Sequence, residues 1–141
     1  MTQTLPDWSS LQPGTELPTI ELPPITRHTL ALYCGASGDH NPIHVDIDFA
    51  QSAGMPDVFA HGMLSAAWLA RVLTAWVPQS AIRSLDIRFA AITHVGERIS
   101  CSGVVTEKLV ENGRRIVKVQ LKTVGDGDVA KLTGEAQINW P

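Results

Sequence analysis

Apolar positions in this chain follow two periods, one on each side of Pro78. Before it, Gly62 to Val77 carries twelve apolar residues in sixteen, from Met63 and Leu64 through Trp68 and Leu69 to Trp76 and Val77. They occupy every face of a 3.6-residue period, which predicts a helix about 24 Å long and buried on all sides. After Ala81 the period falls to two. Leu85, Ile87, Phe89 and Ala91 alternate with Asp86, Arg88 and Ala90, and Ile99, Cys101, Gly103 and Val105 with Ser100, Ser102 and Val104. Val117 to Thr123 and Leu132 to Ile138 repeat the pattern. Asn112-Gly113 is a strong hairpin signal, because both residues tolerate positive φ, and Gly125-Asp126-Gly127 marks the next turn. Four consecutive strands with short connections predict an antiparallel meander.

Upstream, residues 1–25 hold five of the nine prolines and read as an extended lead-in with one strand at Glu16 to Leu22. Thr26 is a candidate N-cap for a helix from Arg27 to about Cys34. Asp46 or Asp48 caps a short helix through Phe49, Ala50 and Ser52, which Gly54 and Pro56 end. The fold class these elements specify is α+β: a curved antiparallel sheet wrapped around one long buried helix, with residues 1–141 as a single domain.

The chemistry concentrates in Ser37-Gly38-Asp39-His40-Asn41-Pro42-Ile43-His44. A carboxylate and an imidazole held together bind a water and move its protons, as hydration of a carbon–carbon double bond requires. His40 and His44 have the spacing of helical zinc ligands, but Pro42 breaks that helix, so no metal is expected. Asn41 either orients the site or closes an Asx turn over Pro42. Gly62 opens the apolar helix, where free N–H groups and partial positive charge stabilise an oxygen gaining negative charge. Glycine there also permits close approach of a ligand or close packing of helix on sheet. His61 and Ser65 are possible pocket residues, each with a structural role as its alternative. His28, His40 and His94 carry no constellation, and Trp68 and Trp76 are expected in the core.

Composition narrows the function classes. Of 141 residues, 11 are Lys or Arg and 14 Asp or Glu, giving a formal net charge of -3. That balance makes nucleic acid and anionic membrane unexpected partners. The apolar run Met63 to Val77 is shorter than the ~18 residues of a membrane span and contains Arg71. Residues Met1 to Ser10 have neither a basic nor an apolar leader segment, so the expected location is cytoplasmic. Cys34 and Cys101 are expected as two buried free thiols. There is no G-x-S-x-G elbow and no glycine-rich phosphate loop, and no cofactor is expected.

Tyr33 to His44, followed by Phe59-Ala60-His61-Gly62-Met63-Leu64, Val95-Gly96-Glu97 and Thr133-Gly134-Glu135-Ala136, resembles the MaoC-like, R-specific enoyl-CoA hydratase family of hot-dog proteins over nearly the whole chain. The resemblance implies reversible addition of water to a trans-2-enoyl thioester, carried on CoA or acyl carrier protein, giving a (3R)-hydroxyacyl thioester. It implies that Asp39 and His44 handle the water, that Asn41 orients the site and that the Gly62 N–H binds the thioester carbonyl. It also implies a homodimer or higher homo-oligomer. A hot-dog thioesterase and a subunit of a hetero-oligomeric dehydratase are the alternatives. With no long insertion between Gly62 and the sheet, a short-to-medium or slim acyl group is expected.

Overall fold

A computed structural model describes residues 5–140. Their order is β1 (Ile20–Glu21), α1 (Arg27–Ser37), α2 (Ile47–Ser52), α3 (Gly62–Thr74), β2 (Ile82–Phe89), β3 (Ser100–Glu111), β4 (Arg114–Val124) and β5 (Ala130–Trp140). Local chemistry sets most of the boundaries. The Thr26 side chain accepts a hydrogen bond from the Thr29 N–H at 3.0 Å and caps α1. α1 runs past Cys34 to Ser37 and stops where Gly38 turns left-handed at φ 76°. Asp46, not Asp48, caps α2, accepting from the N–H groups of Asp48 and Phe49. Of the cysteines, Cys101 is buried and Cys34 half-buried, and both are free.

The five strands form one antiparallel sheet in the order β1-β3-β4-β5-β2. β3, β4 and β5 are the expected meander, and Asn112 and Gly113 make its first turn with φ of 51° and 75°. β2 departs from expectation. It pairs with β5, so residues 90–99 carry the chain from one side of the sheet to the other instead of closing a hairpin onto β3. Alternation along a strand reports which face is buried and says nothing about which strand lies beside it. The expected strand at Glu16 to Leu22 is a looser run along β3, with a bridge from Glu16 to Val104 and the regular pair at Ile20–Glu21.

α3 lies against the concave face. Leu64, Leu69, Val72 and Leu73 pack with Cys101, Val105, Val119, Leu121, Ala136 and Ile138 in one buried cluster. Trp76 follows the helix and meets Trp140 at 5.0 Å between ring centres, whereas Trp68 is only partly buried. The prediction that α3 is covered on every side fails along one stripe. Met63, Ala67, Arg71 and Thr74 are exposed, Met63 at 59%. The sheet curls around one side of the helix, and no element among the described residues covers that stripe. Among the described residues, no helix is long and apolar enough to cross a membrane.

Candidate active site

The loop after α1 is built from successive side-chain-to-backbone turns. Ser37 Oγ accepts from the Asp39 N–H (3.2 Å), Asp39 Oδ1 from the Asn41 N–H (3.3 Å) and Asn41 Oδ1 from the Ile43 N–H (3.2 Å). Pro42 then opens a 3-10 turn ending at His44. Of the two roles considered for Asn41, its carbonyl oxygen performs the Asx turn. Asp39 and Asn41 are exposed, His40 is exposed on the same loop, and His44 is buried.

Two histidine rings meet below this loop. His44 Nδ1 lies 2.7 Å from the carbonyl oxygen of Phe59. A carbonyl only accepts, so Nδ1 carries the hydrogen and Nε2 of the neutral ring keeps a free lone pair. His61 Nε2 lies 3.2 Å from the backbone carbonyl of Asp39, so there Nε2 donates and Nδ1 is bare. That Nδ1 is buried and has no hydrogen-bond partner. The two rings stack with centroids 3.9 Å apart and planes inclined by 28°. Tyr33 meets the His61 ring edge-on at 5.0 Å. Burial, and then the neighbouring His44, hold the His61 pKa below its ordinary value, against the opposing pull of the Asp39 carbonyl and carboxylate.

One carboxylate oxygen of Asp39, one ring nitrogen of His44 and one of His61 lie within 4.8 Å of one another. A water donating two hydrogen bonds of about 2.8 Å spans such a gap. The same three groups make a poor cage for an ion. Imidazole lone pairs lie in the ring plane, and two nearly parallel rings direct them side by side rather than to one point.

Gly62 follows His61 and begins α3, where no side chain caps the helix. Its N–H therefore belongs to the unsatisfied first turn. A Cβ on Gly62 would stand 2.9 Å from Cε1 of Phe89, so α3 approaches β2 closely at this glycine. A cleft of about 380 Å³ opens here, lined by Phe59, Gly62, Ser65, Phe89, Ile92 and Thr93. Ser65 is buried, with its Oγ 3.5 Å from Thr93 Oγ1, and backs the cleft.

The far wall is the connection 90–99. The Ala60 N–H donates to the Thr93 carbonyl (2.9 Å) and ties that wall to the segment entering α3. Behind it Lys131, 3% exposed, donates to the Ile92 carbonyl at 2.8 Å and pairs with Glu97 at 2.7 Å. Glu97 in turn accepts from the His94 N–H at 2.6 Å. Burial pushes the Glu97 carboxyl up, but Lys131 and the His94 N–H pull it further down, and the net shift is downward. Sequence reasoning missed this clamp along with the parts played by Tyr33, Phe89 and Thr93. Of these only Tyr33 lies within the motif stretch.

A family model described as "MaoC like domain" matches residues 10–128. The chain belongs to the MaoC-like domain family. It is 31% identical over 114 residues to the (R)-specific enoyl-CoA hydratase of Rhodospirillum rubrum, a match covering 77% of this chain and 79% of that one. It is 32% identical over 128 residues to the fatty acid synthase subunit beta of Saccharomyces cerevisiae, covering 89% of this chain but only 6% of that much longer protein. The unliganded R-hydratase PhaJ1 of Pseudomonas aeruginosa superposes with a TM-score of 0.81 at 26% identity, covering 95% of this chain and 84% of that one. The curved sheet around α3 is the hot-dog fold of this family.

Proposed function

We propose that this MaoC-like domain, residues 1–141 acting as one unit, reversibly hydrates trans-2-enoyl thioesters of CoA or acyl carrier protein to (3R)-hydroxyacyl thioesters. The observation that carries the proposal is a His44 ring whose Nε2 is left free by the bond from Nδ1 to Phe59, on a side chain that brings a ring nitrogen within 4.8 Å of an Asp39 carboxylate oxygen. A water held between them donates one hydrogen to Nε2 and the other to Asp39. As the water oxygen adds to C3, Nε2 takes its proton. The electron pair of the double bond moves toward the thioester carbonyl, whose oxygen gains negative charge at the Gly62 N–H. The imidazolium then returns a proton to C2, and Asp39 stabilises that cation while it exists. The Rhodospirillum relative is named for this reaction and its stereochemistry.

The apolar cleft beside Gly62 favours a short-to-medium acyl group, and its limited volume supports that choice. Two features favour a homodimer. β2 pairs with a neighbour on one edge only, which leaves a row of backbone groups ready for another strand. Beside it Met63, Phe89 and Ile92 are exposed large apolar side chains.

The deciding test is the enoyl-thioester absorbance of crotonyl-CoA. Loss of the band with wild type and no release of free thiol, with the loss abolished in Asp39→Asn and His44→Ala variants that fold normally by circular dichroism, is the expected result. Release of free thiol in step with the loss moves the assignment to a thioesterase, because hydrolysis also destroys the conjugated chromophore. Sedimentation at micromolar concentration tests the dimer, and a monomer there counts against it.

A further inference from the structure

The buried His61 side chain touches both residues of the proposed dyad, the backbone of Asp39 and the ring of His44. Its Nε2–H donates to the backbone carbonyl of Asp39, and its ring lies flat against His44. It is also the N-cap residue of α3, covalently joined to Gly62. Tyr33 from α1 meets the same ring edge-on at 5.0 Å. A single 1%-exposed residue therefore links the carboxylate-bearing loop, the imidazole and the helix start at which the carbonyl oxygen would be held.

The state of the ring follows from its contacts. The Asp39 carbonyl demands a hydrogen on Nε2, so Nδ1 is an acceptor in the neutral form. A proton on Nδ1 would create a second buried N–H with no acceptor, next to an imidazole that itself takes a proton during hydration. The titratable groups around the ring are Tyr33, the Asp39 carboxylate and His44. Only the carboxylate favours a charged His61. Buried polar atoms without partners are uncommon in native proteins and call for an explanation. Here the bare atom keeps the ring neutral while the opposite nitrogen holds the loop.

We propose that His61 is a positioning residue: a permanently neutral imidazole that fixes the Asp39 loop through Nε2 and serves as the flat platform against which the His44 imidazolium forms. The platform restrains rotation of the His44 ring, which keeps Nδ1 on the Phe59 carbonyl and Nε2 toward the water. It also presents an aromatic face to the cation that appears during turnover. The proposal rests on the hydratase reading for its kinetic consequence, but not for its structural one.

Two variants separate the two contacts. His61→Phe keeps a ring for stacking and loses the donor to Asp39; His61→Gln keeps a donor and loses the ring. Imidazole nitrogen NMR on histidine-labelled full-length protein reads the tautomers without substrate, with His44→Ala supplying the assignment. In the wild type His44 is expected as one Nδ1–H tautomer and His61 as one Nε2–H tautomer. In His61→Gln the His44 signals are expected to move toward a tautomer mixture; in His61→Phe they stay. Both variants are expected to lose about 10- to 100-fold in kcat on crotonyl-CoA with KM within about twofold, the signature of misplacement rather than lost binding.

A wild-type His61 carrying its hydrogen on Nδ1 overturns the proposal outright, even if no variant folds. So do variants whose kcat per folded molecule stays within about twofold of wild type. A wild type that leaves the crotonyl-CoA band intact while both tautomers appear as expected overturns the hydratase reading and leaves the structural role of His61 supported.

Discussion

Two irregular segments flank the start of α3, and they are held there in opposite ways. The loop Gly38 to Asp46 is mostly exposed, with only His44 buried. It is fixed through its backbone: Asx turns within it, the Asp39 carbonyl on His61, and the anchor of His44 on a backbone carbonyl. It carries the two groups proposed to react, the Asp39 carboxylate and the His44 Nε2. The connection 90–99 is fixed from behind by charged side chains, with buried Lys131 paired to half-buried Glu97 and the two hydrogen-bonded to the Ile92 carbonyl and the His94 N–H. On the proposed function, one segment reacts and the other stays put. Lesions in the first should appear in rate and lesions in the second in stability.

The largest effect that sharpens this contrast is Asp39→Asn. Proton transfer by a positioned group contributes roughly 10²–10⁴-fold, so turnover of crotonyl-CoA should fall by that factor. The urea midpoint should hardly move, because the carboxylate is exposed and an amide oxygen can still accept from the Asn41 N–H. A large stability loss with rate retained would erase the contrast. Next comes Lys131→Met, which strands the Glu97 carboxylate among buried neighbours. Glu97 is half-buried and can be partly hydrated once the ammonium is gone, so the loss should be about 1–3 kcal/mol, below that of a fully buried pair. Chemical denaturation measures it, and kcat per folded molecule should remain near wild type. An unchanged midpoint would mean that the pair clamps nothing.

Gly62→Ala tests the ground between the segments. The N–H survives, so carbonyl stabilisation should persist, but the new methyl would meet Phe89 at 2.9 Å. Phe89 is 55% exposed and has room to swing. Stability should therefore change by less than ~1 kcal/mol, since alanine in a helix offsets part of the crowding. The displaced ring and the methyl narrow the cleft, so KM should rise, and Phe89→Ala in the same chain should restore it. No recovery in the double variant would place the methyl against the thioester itself.

What could be read in the sequence was whatever is decided within a few residues. Thr26 caps α1, Asp46 caps α2, Asn112-Gly113 forms the hairpin, and Pro42 keeps Asp39 and His44 on one loop. Gly62 starts α3 where the apolar run begins. What escaped depends on partners distant in the chain. The choice of β5 rather than β3 as the neighbour of β2 is made by the whole sheet. The bare stripe on α3 appears only once one chain's sheet fails to cover it. His61 was visible as a pocket residue, but its partner is the carbonyl of Asp39, 22 residues away, and backbone carbonyls leave no mark in a sequence. Lys131 reads as a surface lysine until Glu97 is folded against it.

The smallest effect, and the one that divides the two segments most cleanly, is the pH dependence of stability. His61 has a folded pKa below the ordinary 6.5. Above that value folded and unfolded states bind no proton at this site, and the ring's contribution is complete. As pH falls from 6.5 toward the depressed folded value, the unfolded chain takes up a proton that the folded ring refuses, and stability declines. Glu97 also has a lowered folded pKa, but from an ordinary 4.5, so the stability it adds is present above that pH and is lost only as pH falls through the folded value. The loop clamp should therefore weaken first on acidification and the connection clamp later. Stability measured from about pH 7 down to about pH 5 should fall more steeply for wild type than for His61→Phe, which has nothing to titrate there. Glu97→Gln should follow the wild-type slope over that range and depart from it only in stronger acid. Equal slopes for wild type and His61→Phe would mean that the buried ring accepts a proton as readily as the unfolded chain, and the stacked pair would then be no barrier to charge.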